Sequence, residues 1–188
     1  MSRQEPFAAM DYAGLFAAIV NSVDAAVISK TLDGKILSWN PAAERIFGWT
    51  AKEMIGQSIR RIIPEERQSE EDDILARVER GENSIQLRTE RLRKDGTRVH
   101  LEIMVSPVKD REGRIIGASK IGRDITREVE TRRALNAAET RFRLMADNIA
   151  QLAWIADAKG WMFWYNKRWF DYTGTTQQDV EGNGWRDQ

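Results

Sequence analysis

The sequence nearly repeats itself after 126 positions. Residues 16–56 align without a gap on residues 142–182, and most of the residues that the two stretches share are turn or cap residues. Because such residues allow particular backbone conformations, their equal spacing predicts two copies of one supersecondary unit. The shared pairs are Phe16 and Phe142, Gly34 and Gly160, Asn40 and Asn166, Gly48 and Gly174, Thr50 and Thr176, and Gly56 and Gly182. We expect one whole module followed by the front of a second one.

Composition narrows the classes of protein that this chain can belong to. It has 29 basic and 29 acidic residues and no net charge, so the overall electrostatic potential does not favour the binding of nucleic acid. The absence of cysteine excludes disulfides, thiolate metal sites and cysteinyl adducts. The N-terminal residues lack the layout of a signal peptide, and no apolar run approaches the ~18 residues that would span a bilayer. A cytoplasmic protein without a membrane segment is the expectation.

The front of each copy is predicted to be a helix, a hairpin and two short helices. Residues 12–23 follow an N-terminal extension, 1–11, and carry apolar side chains at helical spacing. Asp33-Gly34 is typical of a tight hairpin turn, and Asn40 before Pro41 is typical of a helix start. Thr50 and Glu53 have the spacing of a capping box. The apolar residues of the first helix are Leu15, Phe16, Ile19, Val20 and Val23.

The rest of the first copy predicts one helix and three strands. Residues 64–81 indicate a helix with acidic residues in its first turn. Residues 84–93, 97–108 and 114–125 indicate strands separated by glycine-containing turns. This order is typical of an α+β fold, with an antiparallel sheet and helices on one face.

A charged segment, 127–148, follows and contains no glycine or proline. It predicts a helical linker in which Leu135, Phe142 and Ile149 are seven residues apart, with Ala138 and Met145 at the intervening positions. Two such heptads suggest a homodimer that pairs through the N-terminal and linker helices.

Taken together, these motifs resemble the PAS domain, the sensory module of bacterial signalling proteins. The resemblance implies a five-stranded antiparallel sheet of order 2-1-5-4-3 over residues 12–126, of which about 84–126 form the PAC-like part. Residues 149–188 resemble the start of a second, incomplete PAS domain. The matching segments are Leu32 to Trp49, Glu53 to Gly56, Lys94 to Gly96, Gly117, and Asp124 to Thr126.

The resemblance also implies a function. Such modules sense a ligand, a redox state or a partner, and relay the change from the last strand into the exit helix. We expect the input region of a two-component sensor histidine kinase, with Asp124, Ile125 and Thr126 transferring the signal. The alternatives are a heme- or flavin-binding redox or gas sensor, and a regulatory module of a diguanylate cyclase or transcription regulator. No nucleotide-binding or catalytic motif is present, so we expect no enzyme within this chain.

The residues bear on whether the chain binds heme or a flavin. Heme in similar modules is bound by a histidine of the longer helix, but here Glu71 occupies about that position and His100 lies on a strand. A covalent flavin adduct requires cysteine. Non-covalent FAD stays open, with Trp39 and Trp49 as candidates to border its cavity, although a core role is the simpler interpretation. A small-molecule ligand also stays open.

Two residue clusters have ordinary structural interpretations. The acidic run is expected to be a solvated helix start rather than a metal site. The aromatic group of the second copy is expected to be the core-facing side of an incomplete module rather than a cation cage. The acidic residues are Glu65, Glu66, Glu70, Glu71, Asp72 and Asp73. The aromatic residues are Trp154, Trp161, Phe163, Trp164, Tyr165, Trp169 and Phe170.

Overall fold

The computed structural model describes residues 11–180, and the chain divides into two compact units, Met1–Val129 and Glu130–Gln188. The elements of the first unit are helix α1 (Tyr12–Ser22), strands β1 (Ala26–Lys30) and β2 (Ile36–Trp39), helices α2 (Pro41–Phe47), α3 (Ala51–Met54) and α4 (Gln68–Glu79), and strands β3 (Ile85–Leu92), β4 (Arg98–Lys109) and β5 (Ile115–Asp124). Helix α5 (Thr126–Asp147) begins in this unit and confirms the predicted linker helix. Within residues 11–180, no helix is long and apolar enough to cross a bilayer.

The five strands form one antiparallel sheet in the order β2-β1-β5-β4-β3, as the resemblance implied. The first and last strands are therefore neighbours at the centre. In their pairing Ile28 lies opposite Lys120, and Lys30 lies opposite Ala118. Gly117 lies so close to the carbonyl oxygen of Lys30 that a Cβ atom at this position would collide with the backbone. This register places the two lysines diagonally across one face of the sheet.

The core fills the space between that face and the helices. Val99, Leu101, Ile103 and Val105 of β4 are buried, which confirms the period-two alternation predicted for this strand. The helices contribute buried apolar side chains from their inner faces, including Phe47, Met54, Ile74 and Val78.

The segment before α4 differs from the prediction. A single helix was expected over residues 64–81, but α4 begins only at Gln68 and ends at Glu79. Two 3-10 turns, Ile59–Ile62 and Glu65–Arg67, precede it. Pro64 lies between these turns. Arg67, the last residue of the second turn, has φ −116° and ψ 10°, outside the α-helical region, so residues 65–67 do not form one continuous helix with α4.

The second unit contains a two-stranded sheet and short helices. Strands β6 (Trp154–Ala156) and β7 (Met162–Tyr165) pair antiparallel, and helices α6 (Lys167–Thr173) and α7 (Gln177–Val180) follow. Strand β7 and helices α6 and α7 lie 126 residues after β2, α2 and α3, and β6 falls within the repeat of β1, so the local structure repeats with the sequence.

The repeat extends to individual hydrogen bonds. The side-chain oxygen of Asn40 accepts from two backbone N–H groups, and its amide nitrogen donates to two carbonyl oxygens. Asn166 makes the same four bonds. The partners are Val27, Ala43, Val20 and Ala25 for Asn40, and Ala153, Trp169, Ala146 and Gln151 for Asn166. Each asparagine thus ties the start of a short helix to the hairpin and to the preceding helix.

Candidate functional site

A cluster of charged side chains is buried between the sheet and α4. Lys30 comes from β1, Lys120 from β5 and Glu71 from α4. Lys30 and Glu71 are 0% exposed, and Lys120 is 6% exposed. The Nζ atom of Lys120 donates to Oε2 of Glu71 at 2.5 Å, and the Nζ atom of Lys30 pairs with Oε1 of the same carboxylate. One carboxylate therefore serves two ammonium groups in the protein interior.

The same patterns that bury apolar side chains also bury these charges. Lys30 shares its strand face with Ala26 and Ile28, which are both buried. Glu71 is three residues before Ile74 and seven before Val78, so it lies on the inner stripe of α4. On β5, the small residues next to Lys120 on the same face leave room for its long side chain.

A third buried cation lies beside the lysines. Arg91 of β3 is 3% exposed. Its Nη1 atom donates to Oε2 of Glu70 at 2.9 Å and to Oγ1 of Thr89 at 2.5 Å. Its Nη2 atom is buried, and no residue that the structure describes accepts a hydrogen bond from it. Glu70 also pairs with Arg67 at the protein surface, so its charge is shared between two guanidinium groups.

The environment of the cluster opposes positive charge. Burial, the largest cause, and the nearby positive charge of Lys120, the second, lower the pKa of Lys30 from 10.5 to about 6. Burial, followed by Arg91, lowers the pKa of Lys120 from 10.5 to about 7. Burial also lowers the pKa of Arg91, although its hydrogen bond to Glu70 opposes this change. Because removing a cation from water is costly, the two lysines are poised to gain or lose a proton near neutral pH.

A small cavity adjoins these charges. Its volume is about 20 Å³, enough for a water molecule or an ion of a few atoms. Most of its walls are apolar, and Arg91 and Lys120 supply the charged part. The lining residues are Ala26, Ile28, Phe47, Ile59, Ile62, Arg91, Leu101, Ile103, Lys120 and Gly122.

The expectation that the acidic run is a solvated helix start was wrong for Glu71. The exposed residues of the run do face solvent, but Glu71 is completely buried because two lysines neutralise it. Glu70 is partly buried for a similar reason, since Arg91 and Thr89 bind its carboxylate. Within residues 11–180, no group of three acidic or histidine side chains could hold a metal ion.

The cavity does not fit the cofactors considered from the sequence. Pockets for drug-sized ligands have about 300–1,000 Å³, whereas this cavity has about 20 Å³. Glu71, at the position expected for an iron ligand, is already bound by both lysines. Neither heme nor FAD fits beside these residues without rearrangement of the cluster.

The residues considered for cofactor binding, Trp39, Trp49 and His100, contact other parts of the first unit. Trp39 and Trp49 do not line the cavity. Trp39 packs on Phe47, with ring centroids 5.1 Å apart, and its Nε1 atom donates to the carbonyl oxygen of Trp49 at 2.9 Å. The ring of Trp49 lies 3.9 Å from the guanidinium carbon of Arg61. His100, on β4, has its Nδ1 atom 3.4 Å from Oε1 of Glu90.

The proposed signal-transfer residues form the junction between β5 and α5. The Oδ1 atom of Asp124 accepts from the backbone nitrogen of Thr126 at 2.8 Å, and its Oδ2 atom pairs with Nη2 of Arg93 at 3.0 Å. Burial raises the pKa of the Asp124 carboxyl, but the bonds from Thr126 and Arg93 outweigh it and hold this pKa below its usual value.

The other two residues of the junction bind β4. Ile125 is 3% exposed, and its backbone nitrogen donates to the carbonyl oxygen of His100 at 2.9 Å. The hydroxyl of Thr126 accepts from the backbone nitrogen of His100 at 3.0 Å. Asp124 therefore bonds the first residue of the helix, whereas Thr126 ties the helix start to the neighbouring strand.

The aromatic group of the second unit forms a small cluster of its own. Trp169 contacts Trp154 and Tyr165, with ring centroids 5.7 Å and 4.8 Å away. Tyr165 is buried, whereas Trp161 and Phe163 are each 50% exposed. Part of this group is thus a core, and part of it lies uncovered on the surface of the unit.

Comparison with known proteins agrees with this architecture. A family model for the PAS fold matches residues 14–125. The chain therefore belongs to the PAS family. A search of curated proteins found no match.

Solved structures have the same fold. The PAS domain of a protein from Colwellia psychrerythraea is 25% identical, with a TM-score of 0.57 over 62% of this chain and 99% of that chain. The light-oxygen-voltage protein of Rhodobacter sphaeroides is 17% identical, with a TM-score of 0.54 over 69% of this chain and 77% of that one. A domain of a sensory box sensor histidine kinase/response regulator from Geobacter sulfurreducens is 17% identical, with a TM-score of 0.51 over 60% and 93%.

Proposed function

We infer that this PAS module is the input region of a two-component sensor histidine kinase, and that its buried charge cluster detects the signal. The observation that carries this proposal is the position of Lys120. Its ammonium group bonds Glu71, the residue lines the cavity, and its backbone belongs to the strand that leads directly into α5.

The path from the cluster to the helix is short. Asp124 lies four residues after Lys120 on β5, and its carboxylate bonds the first residue of α5. Any change that moves Lys120 relative to Glu71 shifts β5 against β1 and β4, the strands that pair with it on either side. Because packed cores have discrete arrangements, we expect such a shift to be transmitted along β5 and to change the conformation at the start of α5.

The second unit supports a tandem arrangement of two modules. We interpret residues 149–188, of which the structure describes those up to 180, as the front of a second PAS domain, because β7, α6 and α7 repeat β2, α2 and α3 together with the asparagine bonds. Trp161 and Phe163 correspond to Lys35 and Leu37 of the first unit, which are also exposed, so their exposure agrees with the repeat.

The experiment measures autophosphorylation of the parent protein carrying Asp124→Ala. Loss of the Asp124 bonds should uncouple α5 from the sheet, so we expect the response to the signal to fall while the PAS module remains folded. The control is Asp110→Ala, which removes an aspartate whose side chain bonds Arg114 in the turn between β4 and β5. An unchanged response in Asp124→Ala, or an equal loss in both variants, would argue against the relay.

A further inference from the structure

We propose that the cavity beside Arg91 and Lys120 binds a small monovalent oxyanion, of the size of formate or nitrate. This ligand class rests on the proposed sensory function and makes it more specific.

When Lys30 and Lys120 are both protonated, the site has an excess of positive charge. Lys30, Lys120 and Arg91 are all at least nine-tenths buried, and Glu71 is the one carboxylate buried to the same extent within residues 11–180. Glu70 compensates part of this excess, but it also serves Arg67 at the surface. One further negative charge would therefore balance the fully protonated cluster.

The site also offers hydrogen-bond donors without acceptors. The Nη2 atom of Arg91 is buried and unpartnered, and Arg91 lines the cavity. The Nζ atom of Lys120, which lines the same cavity, donates to Glu71 and has further N–H groups to offer. Because charge-assisted hydrogen bonds to oxyanions are strong, these two donors on one small cavity favour an anion over a neutral molecule.

The cavity restricts the size and charge of this anion. At about 20 Å³, the cavity is far smaller than a pocket for a drug-sized ligand, which restricts its occupant to a few heavy atoms. Apolar walls from Ile28, Phe47 and Leu101 provide no donors for further charges, so divalent sulfate and phosphate would remain undersolvated. A small monoanion meets both limits.

Anion binding at this site takes up protons. An added negative charge favours the charged forms of Lys30 and Lys120, whose pKa values of about 6 and about 7 lie near neutral pH. The other charged groups facing these lysines are Glu70 and Glu71 of α4, Arg91 of β3, and Arg60 of the first 3-10 turn. Affinity should therefore increase as the pH falls.

The test is a titration of the full chain with sodium formate and with sodium nitrate at constant ionic strength, followed by nuclear magnetic resonance. We expect saturable shifts of the Arg91 guanidinium and the Gly122 amide, with binding about threefold or more tighter at about pH 6.5 than at about pH 8. Sodium gluconate, a larger monoanion, is the control for non-specific salt effects and should leave these signals unchanged.

Matched variants locate the site. Arg91→Met should weaken formate binding about tenfold or more, whereas Arg88→Met should leave it within about twofold. Arg88 lies on the same strand with its side chain 73% exposed. If Arg91→Met fails to fold, Lys120→Met and the shifts of the unmodified chain decide the question.

Several results would overturn the proposal: no saturable shifts, equal shifts with gluconate, shifts outside the cavity, or affinity independent of pH. The first would mean that the cavity holds only water. None of them would refute the relay, because the response of Asp124→Ala is measured separately in the parent protein.

Discussion

At the residue scale, the carboxylate of Glu71 is the counterion of both Lys30 and Lys120. Glu71→Gln leaves the buried side chains of Lys30 and Lys120 without their counterion, so we expect the free energy of unfolding to fall by about 3 kcal/mol. Urea denaturation at neutral pH measures it. Asp72→Asn is the matched control, since this neighbouring side chain is 67% exposed, and should change stability by at most about 0.5 kcal/mol. Equal losses in the two variants would contradict a buried ion cluster.

The two lysines also predict a pH dependence of stability. Their pKa values in the folded chain, about 6 and about 7, lie below the ordinary value of 10.5. At pH values between these limits, the unfolded chain therefore binds more protons than the folded chain does. Their contribution to the free energy of unfolding therefore rises as the pH rises. Relative to Lys30→Met/Glu71→Leu/Lys120→Met, the unmodified chain should gain about 1 kcal/mol or more per pH unit between about pH 7 and about pH 9. Parallel stability curves for the two proteins would refute the low pKa values.

The residues of the site were the part that the sequence did not predict. Lys30 and Lys120 stand in strands where alternation assigns them to the inner face, and Glu71 stands on the apolar stripe of α4. Each alone would be interpreted as an irregularity. The sequence feature that could have revealed the site was the combination of these residues, because a charged residue on an inner face needs an opposite charge facing it. Which residues meet depends on the long-range pairing of β1 with β5.

At the element scale, the two asparagines allow the units to be tested separately. Asn40→Ala removes a helix cap and leaves partly buried backbone groups of β1 and α1 without this partner, so we expect a loss of about 2 kcal/mol in the first unit. Asn166→Ala should increase hydrogen exchange in β6, β7 and α6. Exchange in residues 14–125 should not change. Mass spectrometry of exchange in both variants measures this, and increased exchange of all elements in either variant would contradict two separate units.

The elements themselves followed well from local chemistry. Gly34 and Gly160 adopt φ values of 84° and 82°, so the turns predicted from glycine have the required left-handed conformation. The strands were predicted to within about two residues because alternation is clear in a sheet with one buried face. The predicted start of α4 was wrong, since the acidic pattern already begins at Glu65, whereas the backbone leaves the α-helical conformation at Arg67.

At the scale of the whole molecule, we expect a homodimer. Several apolar side chains of α1 and α5 are exposed, among them Phe16 at 63%, Leu135 at 66% and Met145 at 67%. Met145 is at a heptad position, whereas Leu144, 61% exposed, is not. Met145→Glu should therefore shift the chain toward monomers in sedimentation equilibrium, and Leu144→Glu should not. A chain that remains monomeric at high concentration, or equal effects of both variants, would contradict the prediction that two copies of the chain pair through α5.

The central claim is that the buried cluster communicates with the start of α5 through β5. The most direct measurement is hydrogen exchange at the Thr126 and Val129 amides, which bond Asp124 and Ile125, with and without saturating formate. The Arg114 amide, bound to Asp110 in a distant turn, is the internal reference. We predict that saturation changes exchange at Thr126 and Val129 but not at Arg114. If formate shifts the Arg91 and Gly122 signals and exchange at the helix start stays the same, the cluster binds an anion without signalling to α5.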